Sequence, residues 1–152
     1  MPDEAIPLGG ASGERPDDAG AEALDAYSRV VSGVARQVMP SVASLAVQGR
    51  RRGQEGTIGA GSGVVFTEDG FLLTNAHVIG SRSEPRVRAS FTDGRELRAE
   101  VVGTDPLTDL ALLRSSDASL QPAELGDAAS LRVGQLVVAI GNPHGFGGSV
   151  TA

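Results

Sequence analysis

Short runs of alternating apolar and polar residues, separated by glycine turns, constrain the fold of this chain more than any other feature. The clearest pair of runs lies on either side of Asp93-Gly94. Its apolar positions are Val87, Ala89 and Phe91 before the turn and Leu97, Ala99 and Val101 after it. Alternation with this period places one face of a strand in the core, and Asp-Gly between two such runs indicates an antiparallel hairpin.

Composition and further short apolar runs extend this prediction to the rest of the chain. The 152 residues include 21 glycines and only 3% aromatic residues, so the core must consist mainly of Val, Leu, Ala and Ile. Further strands are predicted at Ile58–Phe66, Phe71–Thr74, Asp109–Leu113 and Gln135–Ile140. Several short strands at such spacing are typical of an all-β barrel or sandwich.

The N-terminal part has a different pattern. Residues 1–22 are acidic and rich in proline and glycine, which predicts a disordered tail. Apolar residues then recur every three or four positions, which predicts an amphipathic helix that ends before Pro40 and packs on the domain. These apolar residues are Leu24, Tyr27, Val31, Val34 and Val38. A membrane-surface or partner helix is the alternative.

Several classes of function conflict with the sequence. A net charge of −6 argues against a general nucleic-acid binder. The N-terminus lacks the pattern of a signal peptide, and no apolar run reaches the roughly 18–20 residues that span a bilayer. The glycine-rich run at 59–63 leads into a strand, whereas a phosphate-binding loop opens a helix. With only two histidines, His77 and His144, and no cysteine, we expect neither a metal site nor a cofactor.

One histidine and one aspartate stand beside predicted strands. His77 follows the strand that ends at Thr74, and Asp109 opens another strand. A hydroxyl nucleophile needs a base, and the base needs an acceptor that fixes its tautomer. Histidine suits the first role because its ordinary pKa is about 6.5, and a carboxylate suits the second. On separate, non-adjacent strand ends of one barrel the two could meet, although packed or exposed non-catalytic residues would also fit this spacing.

The residues around this pair carry a family resemblance. The matching segments are Gly59–Phe66, Asp69-Gly70, Leu73–Val78, Asp93–Arg95, Asp105-Pro106, Thr108–Leu113, Leu125–Asp127, Leu131–Gly134 and Val138–Pro143. In this order they resemble the HtrA/DegP family of trypsin-like serine proteases, over roughly residues 40–152. The resemblance implies two six-stranded antiparallel barrels with the site in the cleft between them. It also implies that His77 is the general base and that Asp109 is the orienting carboxylate.

The chain departs from the family pattern at the nucleophile. It contains no Gly-Asn-Ser-Gly-Gly segment, where the family carries the serine and part of the oxyanion hole. The serines near the matching segments do not fit that position; they are Ser62, Ser115, Ser116, Ser119 and Ser149. The family's PDZ module is missing as well. The resemblance therefore implies that the nucleophile lies beyond residue 152 and that the chain as given is inert.

These observations predict an all-β fold with an N-terminal helix. We expect a tail at 1–22, the helix and first barrel at 23–130, and a truncated start of the second barrel at 131–152. The implied function is serine-type endopeptidase activity on unfolded or extended polypeptides. The alternative is a non-catalytic, truncated protease half that acts as a binding or scaffold module. The family resemblance implies a trimer and a cell-envelope or periplasmic location, but the sequence itself fixes neither.

Overall fold

The computed structural model describes residues 16–51, 54–81, 85–116, 119–142 and 149–152. Helix α1 is Pro16–Val38, helix α2 is Ala76–Ile79, and 3₁₀ turns span Met39–Ser41 and Ala128–Ser130. The strands are β1 (Val42–Arg51), β2 (Gln54–Val65), β3 (Phe71–Thr74), β4 (Arg86–Ser90), β5 (Glu96–Asp105), β6 (Leu110–Ser115), β7 (Ala139–Gly141) and β8 (Ser149–Thr151). His144 and the N-terminal part of the predicted tail lie outside these ranges.

The first six strands form a closed antiparallel barrel in the order β1-β2-β3-β6-β5-β4. Strands β1 and β4 close it, with Leu45 opposite Ala89 in the register. Closure leaves no free sheet edge to pair with another chain. The prediction of an all-β fold with an N-terminal helix and an antiparallel barrel is confirmed.

The hairpin predicted around Asp93-Gly94 is β4–β5. Its register pairs Val87 with Ala99 and Ala89 with Leu97, so the apolar positions of the two strands share one face. Gly94 has a φ of 86°, a left-handed conformation that glycine adopts without steric cost. The turn chemistry and the alternation thus specify the same hairpin.

Small aliphatic side chains fill the barrel, as the composition requires. Leu45, Leu72 and Leu113 are completely buried and come from three different strands. The other buried members of this cluster are Ala43, Val47, Val65, Val78, Ile79, Val87, Ala89, Phe91, Ala99, Ala111 and Leu120. Val78 and Ile79 belong to α2, so the short helix that carries His77 is anchored directly in the core.

Helix α1 starts earlier than predicted, and less of it is buried than a helix packed along the domain would be. It begins at Pro16, so residues 16–22 are helical and not part of a tail. Proline suits a first helical position, and the alanines that follow favour helix, although such a polar start carries no hydrophobic period. Leu24 and Tyr27 are 64% and 42% exposed, and partial burial begins only at Val31. Within the described ranges, no helix is both long and apolar enough to span a membrane.

The C-terminal residues form a separate two-stranded sheet, β7–β8. The strand predicted at Gln135–Ile140 is wrong in extent: it starts at Ala139, and Leu136 and Val137 are exposed. The ladder pairs Ala139 with Thr151 and Gly141 with Ser149, so the apolar residues before Ala139 do not by themselves make a strand. Whether residues 131–152 begin a second barrel stays a prediction.

Candidate active site

The site is formed where two neighbouring strands meet at one end of the barrel. Strands β3 and β6 pair directly, with Thr74 opposite Ala111. The prediction that His77 and Asp109 lie at the ends of non-adjacent strands is therefore wrong. Beyond the pairing, the backbone N–H of Ala76 donates to the carbonyl oxygen of Asp109 at 3.1 Å. This bond extends the contact between the two strands into the turn that carries His77.

Helix α2, a single turn, holds His77 in place because two glycines let it approach β2 closely. A Cβ atom added at Gly59 would lie 2.7 Å from the carbonyl oxygen of Val78. One added at Gly61 would lie 2.6 Å from a methyl group of the Val78 side chain. Any residue larger than glycine would therefore push the turn away from the barrel. The glycine-rich run that resembles a phosphate loop instead provides the surface on which α2 rests.

His77 and Asp109 form a direct pair. Nδ1 of His77 lies 2.7 Å from Oδ2 of Asp109, so the two side chains do meet at one end of the barrel. The backbone N–H of His77 also donates to Oδ1 at 2.9 Å. Because an ionised carboxylate only accepts hydrogen bonds, the proton belongs on Nδ1, and Nε2 is left with a free lone pair. The imidazole is thus in the tautomer that a general base requires.

Solvent reaches both members of the pair. The side chain of His77 is 71% exposed and that of Asp109 is 44% exposed. At this exposure, water screens the attraction between the two groups, so the contact fixes geometry more than it stabilises the fold. A ring that is open to this degree can reach a reacting group outside the barrel.

The carboxylate of Asp109 contacts three hydrogen-bond donors, and its backbone has an uncommon conformation. Its φ of 55° is left-handed, and no other described non-glycine residue has a positive φ. The backbone N–H of His77, followed by the imidazole and more weakly by Asn75, lowers the pKa of Asp109 from its ordinary value of 3.8. The carboxylate is therefore ionised at neutral pH, which is the state that can stabilise a protonated imidazole.

Asn75 contacts the same carboxylate, and the sequence analysis gave it no role. Its Nδ2 donates to the carbonyl oxygen of Asp109 at 3.2 Å and to Oδ2 at 3.2 Å. A signal was available, since asparagine directly before a helix usually caps it with its side chain. Here that side chain makes no capping bond, so its position alone would have suggested the wrong partner.

Ser62, whose sequence position did not fit a nucleophile, has a structural role. Its Oγ accepts the backbone N–H of Asn142 at 2.8 Å, and its carbonyl oxygen accepts the hydroxyl of Thr74 at 2.7 Å. Ser62 thus links the barrel to the β7–β8 segment. Ser115 ends β6, and Ser149 begins β8.

A cavity of about 470 Å³ opens beside the imidazole. One wall is formed by β2 at Ile58–Ala60, and the other by α2 together with Gly80 and Ser81. The lining combines the apolar side chains of Ile58 and Val78 with small residues and the imidazole of His77.

A closed six-stranded antiparallel barrel with a hydrogen-bonded histidine and aspartate at one end is consistent with a trypsin-like barrel. The model of the family described as "Trypsin-like peptidase domain" matches residues 61–152. Together with the relatives described next, this match shows that the chain belongs to that family, and within it to the HtrA/DegP group.

Three similar proteins share the name "Probable periplasmic serine endoprotease DegP-like". The protein from Pseudomonas savastanoi pv. phaseolicola is 37% identical over 151 residues, which cover 99% of this chain and 29% of that protein. The proteins from Halomonas elongata and Pseudomonas putida are 48% and 50% identical over 92 and 91 residues, each 60% of this chain and 19% of the relative. The chain thus spans between a fifth and a third of the length of these relatives.

Proposed function

We propose that this chain supplies the general base and the orienting carboxylate of a serine endopeptidase that cleaves unfolded or extended polypeptides. The observation that carries the proposal is the 2.7 Å contact between Nδ1 of His77 and Oδ2 of Asp109. Family membership and the names of the relatives support the reaction class. The cavity beside His77 is compatible with an extended substrate.

In the proposed reaction, Nε2 of His77 takes the proton of a serine hydroxyl as its oxygen attacks the scissile carbonyl. Asp109 stabilises the resulting imidazolium without being protonated. The imidazolium then gives its proton to the leaving amine, and the C–N bond breaks to leave an acyl-enzyme. Water, deprotonated by the same nitrogen, releases the acid product and restores the serine.

Within residues 1–152 we propose that no serine acts as this nucleophile. The sequence contains no Gly-Asn-Ser-Gly-Gly segment, and the Oγ of Ser62 is already bonded to Asn142. A fluorophosphonate probe should therefore leave the 152-residue chain unlabelled. Stoichiometric labelling of any serine in this range would refute this part of the proposal.

Peptidase activity is best tested on the full gene product, with a casein-type unfolded substrate and a folded protein for comparison. Asp109→Asn should lower kcat by about 10⁴-fold, because the amide no longer favours the tautomer that the base requires. Asp105→Asn is a matched control. Asp105 accepts the backbone N–H of Leu107 at 3.0 Å and the hydroxyl of Thr108 at 2.8 Å, and these bonds lower its pKa too.

The control should retain nearly full activity, because neither of these bonds of Asp105 involves His77 or the carboxylate of Asp109. Equal activity of the Asp109→Asn and Asp105→Asn variants would contradict the assignment of Asp109. Activity retained by His77→Ala would contradict the role of the base. We also propose a periplasmic location, which rests on the names of the relatives. Cell fractionation tests it.

A binding or scaffold module is the second candidate, because helix α1 exposes apolar side chains. Leu24 and Val30 are 64% and 52% exposed. The same kinetic measurement separates the two candidates. A full gene product that binds unfolded protein but does not cleave it, even at high enzyme concentration, would favour the module.

A further inference from the structure

The side chain of Asn75 faces away from the helix that it precedes. Asn75 occupies the N-cap position of α2, where an asparagine oxygen ordinarily accepts a backbone N–H of the first turn. Here Oδ1 of Asp109 accepts the N–H of His77 at 2.9 Å, and thus caps the turn from another strand. The amide of Asn75 is therefore available for a different task.

That amide meets two acceptors on one residue. Nδ2 carries two hydrogens, and it lies 3.2 Å from both the carbonyl oxygen and Oδ2 of Asp109. Because both partners are acceptors, the nitrogen of the amide must face Asp109. One side chain thus bonds the backbone and the carboxylate of the same residue.

Asp109 needs such support because its backbone is left-handed, with a φ of 55°. A residue with a Cβ atom occupies this region only where its surroundings compensate for the strain. Two donors fix its carbonyl oxygen, the N–H of Ala76 at 3.1 Å and the amide of Asn75. Without the amide, only one of these donors would remain.

Oδ2 is the oxygen shared by Asn75 and the imidazole. With Oδ1 held by the N–H of His77 and Oδ2 held by Asn75, the plane of the carboxylate cannot rotate freely. We propose that Asn75 is a positioning residue: its side-chain amide clamps Asp109 so that Oδ2 stays aligned with Nδ1 of His77. The consequence for catalysis rests on the proposed function, but the geometric consequence does not.

The test measures the pair directly, by NMR of the imidazole in the 152-residue chain. Nitrogen-15 shifts report which ring nitrogen carries the proton, and the Nδ1 proton signal reports its exchange with water. A His77→Gln variant assigns the signals. In the unaltered chain we expect the Nδ1–H tautomer and a slowly exchanging proton.

Three variants show whether the hydrogen-bond donor of Asn75 matters, as distinct from the shape of its side chain or the stability of the protein. Asn75→Ala removes both bonds, and Asn75→Asp keeps the shape but replaces the donor with an acceptor. Both should lower the Nδ1–H fraction and speed proton exchange at least several-fold. Thr74→Val is the matched control, because it removes the neighbouring bond to the carbonyl oxygen of Ser62, at 2.7 Å, and leaves the pair untouched. Its NMR signals should be those of the unaltered chain.

The outcomes separate the two proposals. If Asn75→Asp keeps the original tautomer and exchange rate, the donor has no positioning role and the inference is wrong, whether or not the protein is a peptidase. If the signals change as expected but the full gene product proves inactive, the proposed function fails and the inference stands. In an active full gene product, Asn75→Ala should lower kcat by about 10- to 100-fold with KM nearly unchanged. Thr74→Val should affect neither constant.

Discussion

Replacing Gly59 with alanine should displace the turn that carries His77. The added methyl group would lie 2.7 Å from the carbonyl oxygen of Val78 and 3.5 Å from the Cβ of Val47. The oxygen belongs to the backbone, so it cannot rotate away as the end of a side chain can. Either α2 moves outward or β2 bends.

The expected loss of stability follows from two opposing terms. Overpacking a well-packed site costs about 1–3 kcal/mol. Replacing glycine with alanine also reduces the freedom of the unfolded chain, which offsets about 0.4–1 kcal/mol of that cost. These terms allow a net loss of up to about 2.6 kcal/mol, and because the clash is with backbone we expect the upper part of that range, about 1–2.6 kcal/mol, or a fall in Tm of about 2–10 °C for a chain of this size.

Gly56→Ala is the matched control in the same strand. No atom lies within 4 Å of the Cβ position at Gly56, and its φ is not left-handed. The control should therefore be neutral or stabilised by up to about 1 kcal/mol. Guanidinium denaturation of both variants gives the difference, and amide NMR reports whether the His77 signal shifts. Equal stability of the two variants, with His77 unmoved, would refute the idea that the turn rests on Gly59.

Two further predictions concern the core and the pair. Leu72→Ala, at a fully buried position, should cost about 3–5 kcal/mol in denaturant titrations. Leu107→Ala, at a 98% exposed position, should cost less than about 0.5 kcal/mol, and similar losses at both sites would contradict the barrel core. Because hydrogen bonds lower the pKa of folded Asp109 from 3.8, its stabilisation is present above that pH and is lost as pH falls through the lowered value. The stability deficit of Asp109→Asn should thus shrink below about pH 3.8 in urea titrations; a deficit that is independent of pH would argue against this assignment.

The β4–β5 hairpin could be predicted because its apolar alternation and its turn residues indicate the same structure. In β4–β5, the alternation selects the buried face and Asp93-Gly94 selects the turn. Helix α1 could be predicted only where it carries an apolar period, so its polar start at Pro16 was missed. The length of β7 could not be predicted from its apolar residues, because apolar character alone does not determine which residues pair with a neighbouring strand.

For the site, the sequence located the two candidate side chains but not the other groups that hold them in place. His77 and Asp109 were identified from the surrounding segments, and their contact is as expected. The role of Asn75 depends on the adjacency of β3 and β6, which is a property of the closed barrel and not of any local segment. The left-handed backbone of Asp109 could not be placed from the sequence either, because aspartate tolerates this conformation better than most residues but adopts it at only a few positions.

The capping of α2 by Asp109 links the order of folding to the onset of chemistry. A helix of one turn has no stability of its own, and its first two N–H groups, those of Ala76 and His77, donate to Asp109, which lies more than 30 positions further along the chain. Before β6 docks beside β3, the imidazole therefore has neither a fixed position nor a fixed tautomer. In a protein of the proposed activity, a partly folded molecule would therefore lack an assembled general base and could not cleave other proteins until the barrel has closed.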